Sequence, residues 1–143
     1  MNITTLESIP VKPAVVTGET RLEPAGEPQS NPAESKTIRI LIVDDEMSMR
    51  AMSCAIVSAV GYESVAVGSG EEAIKTYREH HERGETINAV VMDLALPGGI
   101  SGLEATDALH KVDPNAKIIA SSGYLQQNAR TAAIERGFAG ILP

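Results

Sequence analysis

From Ile38 onward, short continuous apolar runs alternate with stretches in which apolar residues recur every three or four positions. Ile38 to Val43 is a β-branched run of the kind that is buried on both faces of a parallel sheet. Met49, Met52, Ile56 and Val60 then recur at helical spacing, and Gly61 stands where a helix C-terminus favours a left-handed residue. Glu63 to Val67 predicts a second strand. Ser69-Gly70-Glu71-Glu72 is a capping box that opens a second helix through Ala73, Ile74 and Tyr77, fading near Gly84. Ile87 to Met92 predicts a third strand ending at Asp93. Ser101-Gly102-Leu103-Glu104 caps a third helix, with Leu103, Thr106 and Leu109 on one side and its end before Pro114. Ala116 to Ala120, Gln126 to Arg136 and Phe138 to Leu142 complete the pattern as strand, helix and strand. This alternation predicts an α/β fold: right-handed βαβ units building an open five-stranded parallel sheet with helices on both faces.

Composition divides the chain. Residues 1–36 hold five of the eight prolines, no aromatic residue, and five Glu against three Lys/Arg, so they cannot bury enough apolar surface to offset ordering entropy. They are expected to form a disordered Pro/Glu-rich tail or linker, with residues 37–143 as the folded domain. Of the net charge of −7, the tail carries −2, so −5 belongs to the domain. No Lys/Arg cluster offers a phosphate-neutralising surface, which disfavours nucleic acid as a partner. No apolar run approaches the roughly 20 residues that cross a bilayer, no basic-then-apolar leader opens the chain, and Cys54 is the only cysteine. A soluble cytoplasmic protein without membrane attachment is the expectation.

The strand ends carry the chemistry. In open parallel sheets, ligands bind beyond the carboxyl ends of the strands where strand order reverses. Asp44 and Asp45 follow the first strand, Asp93 the third, and Ser121-Ser122-Gly123 the fourth. Three carboxylates brought together raise one another's pKa unless a cation intervenes, and a hard divalent ion such as Mg²⁺ suits oxygen ligands and a phosphoryl group. A carboxylate there can also act as a nucleophile toward phosphorus. Acids after a strand equally complement the dipole of the next helix, and for Asp44-Asp45-Glu46 alone that reading stays open. Asp93 does not cap its helix directly, since the Ser101 cap lies eight residues on.

Ile40-Leu-Ile-Val-Asp-Asp-Glu46, Val90-Val-Met-Asp-Leu-Ala-Leu-Pro-Gly-Gly-Ile-Ser-Gly-Leu-Glu104 and Ile118-Ile-Ala-Ser-Ser-Gly-Tyr124 closely resemble the three signature stretches of response-regulator receiver domains. The resemblance covers about residues 38–143, and the paired glycines after Pro97 look most like receivers of hybrid sensor histidine kinases. It implies a flavodoxin-like sheet in the order 2-1-3-4-5. It also implies Asp93 as phosphoacceptor, Mg²⁺ held directly by Asp45, through water by Asp44, and by Asp93 and the Ala95 carbonyl. Ser122 would contact the phosphoryl group and relay the switch. The implied function is a two-component phosphorelay receiver that accepts a phosphoryl group from a histidine kinase or phosphotransfer protein, rather than an enzyme with turnover.

Two departures qualify the match. Ile141 takes the place of the family's switch aromatic, and the sequence stops at Pro143, after which the family places a lysine and then a last helix. On that basis the domain is expected to lack its final helix, worth about 5 to 10 kcal/mol of apolar burial. A loosely folded chain, or a sheet face covered by a partner, by a second copy in a dimer, or by the chain's own tail, is the further expectation. A receiver-like docking module that is never phosphorylated is the alternative function, and an independent phosphomonoester hydrolase is disfavoured. Gly68-x-Gly70-x-x-Ala73 formally matches a relaxed dinucleotide fingerprint, but Glu71 and Glu72 would repel a pyrophosphate. His80, His81 and His110 are expected on exposed helix surface, and Cys54 with Met47, Met49 and Met52 in the core.

Overall fold

The computed structural model describes residues 36–121, 131 and 133–142. The 1–36 tail up to residue 35, Ser122, and most of the 126–136 helix lie outside them; of that helix, Thr131 and residues 133–135 are helical. The chain divides into two units, Met1–Ala33 and Glu34–Pro143, and every strand and helix named below belongs to the second.

Its elements are β1 (Arg39–Val43), α1 (Met47–Ala59), β2 (Glu63–Val67), α2 (Gly70–Glu82), β3 (Ala89–Asp93), α3 (Gly102–Val112), β4 (Ile118–Ser121) and β5 (Gly140–Leu142). All strand pairs are parallel, and the sheet order is β2-β1-β3-β4-β5, as expected. The chain adds β2 on one side of β1 and then returns to place β3 on the other. With right-handed crossovers, that reversal puts α1 and α2 on opposite faces. Accordingly α2 and α3 pack on each other, while α1 lies over β1 and β2. Leu41, Val43, Val90, Met92, Ile118 and Ala120 point into the core shared with Ala73, Tyr77, Ala105 and Leu109 of the two helices. Ile42, 2% exposed, points to the other face.

Four strands start inside their apolar runs, β1 at Arg39 just after Ile38. Ile87, Ala116 and Phe138 are buried but precede the ladders of β3, β4 and β5. They close the bottom of the core from the connecting turns, because an apolar run reports burial and not pairing. At α3 the capping box is complete: Ser101 Oγ accepts the Glu104 N–H at 3.2 Å, and Glu104 Oε2 accepts the Ser101 N–H at 2.8 Å. At α2 it is only half formed. Ser69 Oγ accepts the Glu72 N–H, but the Glu72 carboxylate turns to the Gly68 N–H at 2.8 Å.

Helix α1 corrects the sequence reading. Met47, Met49 and Met52 are not in the core; they are 75%, 40% and 51% exposed, and Ile56 and Val60 are exposed with them. The partly buried stripe is Arg50, Ser53, Cys54 and Val57, one position away, where small side chains let the helix lie close to β1 and β2. His80 and His110 are also half-buried rather than exposed: His80 Nδ1 lies 2.8 Å from the Thr76 carbonyl and His110 Nε2 3.2 Å from that of Ala116. His81 is exposed, as expected.

Candidate functional site

The reversal of strand order between β1 and β3 sets the site. Val43 pairs with Met92, so the residues that follow β1 and the last residue of β3 emerge side by side. Asp44, Asp45 and Asp93 each offer a carboxylate oxygen, and these oxygens all lie within 4.8 Å of one another. They line a cleft of about 600 Å³ together with Glu46, Met47, Met49 and Ser121. Asp93 pairs with Ser121 across β3 and β4, which puts a hydroxyl residue on the rim beside it. Ser122 lies outside the described residues.

Backbone groups fix the carboxylates. Asp44 Oδ1 accepts the Glu46 N–H at 2.9 Å, and Asp93 Oδ1 accepts the Ala95 N–H at 2.8 Å. The latter bond folds the chain after β3 back onto the strand end and places Ala95 next to the carboxylates. Burial pushes the Asp44 carboxyl above its ordinary value, the Glu46 N–H opposes that shift, and the charges of Asp93, Asp45 and Glu46 reinforce it. Like charges at this range favour a cation between them. The donor set is all oxygen from carboxylates on a partly exposed rim, which suits a hard divalent ion that keeps some of its water.

Glu46 is the N-cap residue of α1, yet its side chain makes no capping bond; Ser48 Oγ donates to it at 2.6 Å instead. The feature common to Asp44, Asp45 and Asp93, which follow two different strands, is the cluster itself.

Two residues escaped the sequence reading. Arg50 Nη1 donates to the carbonyls of Asp44 at 2.7 Å and Asp45 at 2.9 Å, so the loop bearing two carboxylates hangs from a guanidinium one turn into α1. A sign was available: Arg50 is the only charged residue of α1. Glu71 reaches from α2 to the Ile100 N–H at 2.9 Å, in the loop that follows Asp93.

Residues 40–143 match the family description "Response regulator receiver domain". The chain is 38% identical over 100 residues to the chemotaxis protein CheY of Thermotoga maritima, covering 69% of this chain and 78% of that protein. It is 34% identical over 91 residues to the CAI-1 autoinducer sensor kinase/phosphatase CqsS of Vibrio cholerae, covering 64% of this chain but only 12% of that much longer protein. Among solved structures it superposes on the receiver domain of the histidine kinase CKI1 from Arabidopsis thaliana, complexed with Mg²⁺ and BeF₃⁻. The TM-score is 0.65 at 27% identity, covering 73% of this chain and 79% of that one. No described helix is long and apolar enough to cross a membrane. A carboxylate cluster at the switch point of a 2-1-3-4-5 parallel sheet thus has its counterpart in sequence, and the chain belongs to the receiver-domain family of two-component signalling.

Proposed function

We propose that this chain is the phosphoacceptor of a two-component phosphorelay, with Asp93 as the accepting residue. The observation that carries the reading is the convergence of Asp44, Asp45 and Asp93 on one point at the carboxyl end of the sheet. Asp93 is the nucleophile because it ends the central strand and opens onto the cleft. The donor is a phosphohistidine on a histidine kinase or phosphotransfer protein. A carboxylate oxygen of Asp93 attacks phosphorus, the P–N bond breaks, and the imidazole leaves with the electron pair, giving an acyl phosphate. Water attack on phosphorus then breaks the O–P bond and restores the carboxylate, so the domain resets without acting as an enzyme on other substrates.

Asp44, Asp45, Asp93 and the carbonyl of Ala95 are the residues that would hold Mg²⁺. When bound, the ion neutralises the developing charge on the phosphoryl oxygens. The protein's own part is placement: Arg50 steadies the Asp44-Asp45 backbone, and the Ala95 N–H orients Asp93. Ser122, following Ser121 on the rim, would contact the phosphoryl group.

Incubation with a small acyl phosphate and Mg²⁺ should add one phosphoryl group to the intact mass. Asp93→Asn should take up none. A folded chain that stays unmodified would overturn the reading in favour of a docking role, and an adduct that survives Asp93→Asn would overturn the site assignment.

A further inference from the structure

The β3–α3 loop runs from Leu94 to Ser101, and its first part carries Ala95. At its start it is tied to the sheet: the Leu94 N–H donates to the Ser121 carbonyl at 3.2 Å, and the Ala95 N–H to Asp93. Pro97, Gly98 and Gly99 then run exposed to solvent. Gly98 and Gly99 both have positive φ, 70° and 67°, a consecutive left-handed pair that turns the chain back toward α2. The turn delivers the Ile100 N–H to Glu71 Oε1 at 2.9 Å, across 29 residues of sequence.

The first turn of α2 is shaped for this approach. A Cβ on Gly70 would stand 2.8 Å from Ile100 Cγ1 and 3.1 Å from the Ala105 Cβ, so only glycine lets the helix start so near the loop and α3. A Cβ on Gly99 would run into the Glu71 carboxylate itself. Gly70, one of the two glycines that formally matched a dinucleotide fingerprint, is thus accounted for by packing. The Ile100 N–H is also the main reason the Glu71 carboxyl sits below its ordinary value, with its own N–H and the Ser69 hydroxyl adding to it and burial opposing.

We infer that Glu71 is a positioning residue for the site: its carboxylate pins the Gly98-Gly99 turn to α2 and so holds the loop that presents Ala95 beside Asp93. The inference rests on the proposed role of that loop in holding Mg²⁺. Glu71 itself touches none of the three aspartates; it acts from another helix, through the backbone of Ile100. Without that bond the stretch from Leu96 to Ile100 is held by the packing of Leu96 and Ile100 on the core and has more to order on each binding event, which lowers affinity for the ion without touching a ligand.

The test uses the full chain and the variants Glu71→Ala and Glu71→Gln. Glu71 is exposed, so neither change opens a hole in the core. Two readouts need no phosphorylation: amide hydrogen exchange at Ile100 without metal, and the Mg²⁺ concentration that gives half the maximal shift in thermal unfolding. In Glu71→Ala, exchange at Ile100 should quicken about tenfold, as for a lost charge-assisted bond, and half-saturation should rise about threefold. Glu71→Gln retains an acceptor oxygen and should restore most of both values. Unchanged exchange in Glu71→Ala would overturn the tether, and faster exchange with unchanged Mg²⁺ half-saturation would overturn the positioning role. If Glu71→Ala shows these shifts while the wild-type chain takes no phosphoryl group, the proposed function falls and the role of Glu71 stands.

Discussion

The backbone carbonyl of Asp93 occupies the space that a Cβ on Gly102 would need, so the first residue of α3 packs directly on the strand end that bears the carboxylate. Leu94 Cα, 2.8 Å from the same point, closes the other side. Both obstacles are backbone and cannot swing aside. Gly102→Ala should therefore destabilise the fold by about 1 to 3 kcal/mol, the usual cost of overpacking. It should also slow phosphorylation by shifting Asp93. Urea unfolding and the acyl phosphate reaction measure the two effects, and a variant with wild-type stability would show that α3 is free to move.

The acidic cleft should behave as a strained site without metal. Asp44 is held above its ordinary value partly by the charges of Asp93, Asp45 and Glu46, so the ionised cluster opposes folding at neutral pH. If the cluster holds Mg²⁺ as proposed, adding the ion at pH 7 should raise Tm by linkage, because the three carboxylates converge only in the folded chain. Asp44→Asn keeps the oxygen that accepts the Glu46 N–H and removes one charge. Its Tm without metal should rise, and its gain on adding Mg²⁺ should shrink. A fall in the metal-free Tm would show that the Asp44 charge stabilises the fold.

The sheet and the three carboxylates were legible in the sequence for the same reason. A continuous apolar run that stops at an acid both marks a strand and says which end of it faces solvent, as at Val43-Asp44 and Met92-Asp93. The roles of Arg50 and Glu71 were not legible, even though Arg50 stands out as the only charged residue of α1, because each acts on backbone groups whose position exists only once the sheet and helices are assembled. The orientation of α1 failed differently. With Arg50 as its only charged residue, the helix has no broad polar face to set its rotation, and the larger apolar side chains at Met49, Met52, Ile56 and Val60 outweighed the small ones that face the sheet.

That correction predicts an asymmetry between two helices. Ile56 on α1 is 59% exposed, whereas Leu109 on α3 is fully buried. Ile56→Lys should change stability by no more than about 0.5 kcal/mol, as surface substitutions do, while Leu109→Ala should cost about 2 to 5 kcal/mol through lost burial and a cavity. Denaturant midpoints compare them directly. A cost for Ile56→Lys near that of Leu109→Ala would mean the exposed face of α1 is buried in solution.

The end of the domain opposite the carboxylates should govern its pH range. Tyr77, 4% exposed on α2, donates its hydroxyl to Asp113 Oδ2 at 2.9 Å, joining α2 to the C-cap of α3 above a cleft of about 320 Å³. The Asn115 N–H, then the Tyr77 hydroxyl and the charges of His81 and His110, hold the Asp113 carboxyl below its ordinary 3.8 against the opposing effect of burial. A depressed acid contributes stability above its unfolded value and loses it as pH falls through the folded one, so this contribution should fade below about pH 4. Burial, with the Asp113 bond and charge adding to it, raises the Tyr77 phenol above its ordinary 10.0. An acid raised by folding favours the fold while protonated, so that contribution is complete below pH 10 and fades above it. Tyr77→Phe should cost about 1 kcal/mol at pH 7 and flatten the alkaline limb, leaving most of the acid limb, since the Asn115 N–H still binds Asp113 at 2.9 Å. Asp113→Asn should flatten the acid limb instead. Unfolding free energies of the three proteins from pH 3 to 11 test this, and an alkaline limb unchanged in Tyr77→Phe would place its origin in another group.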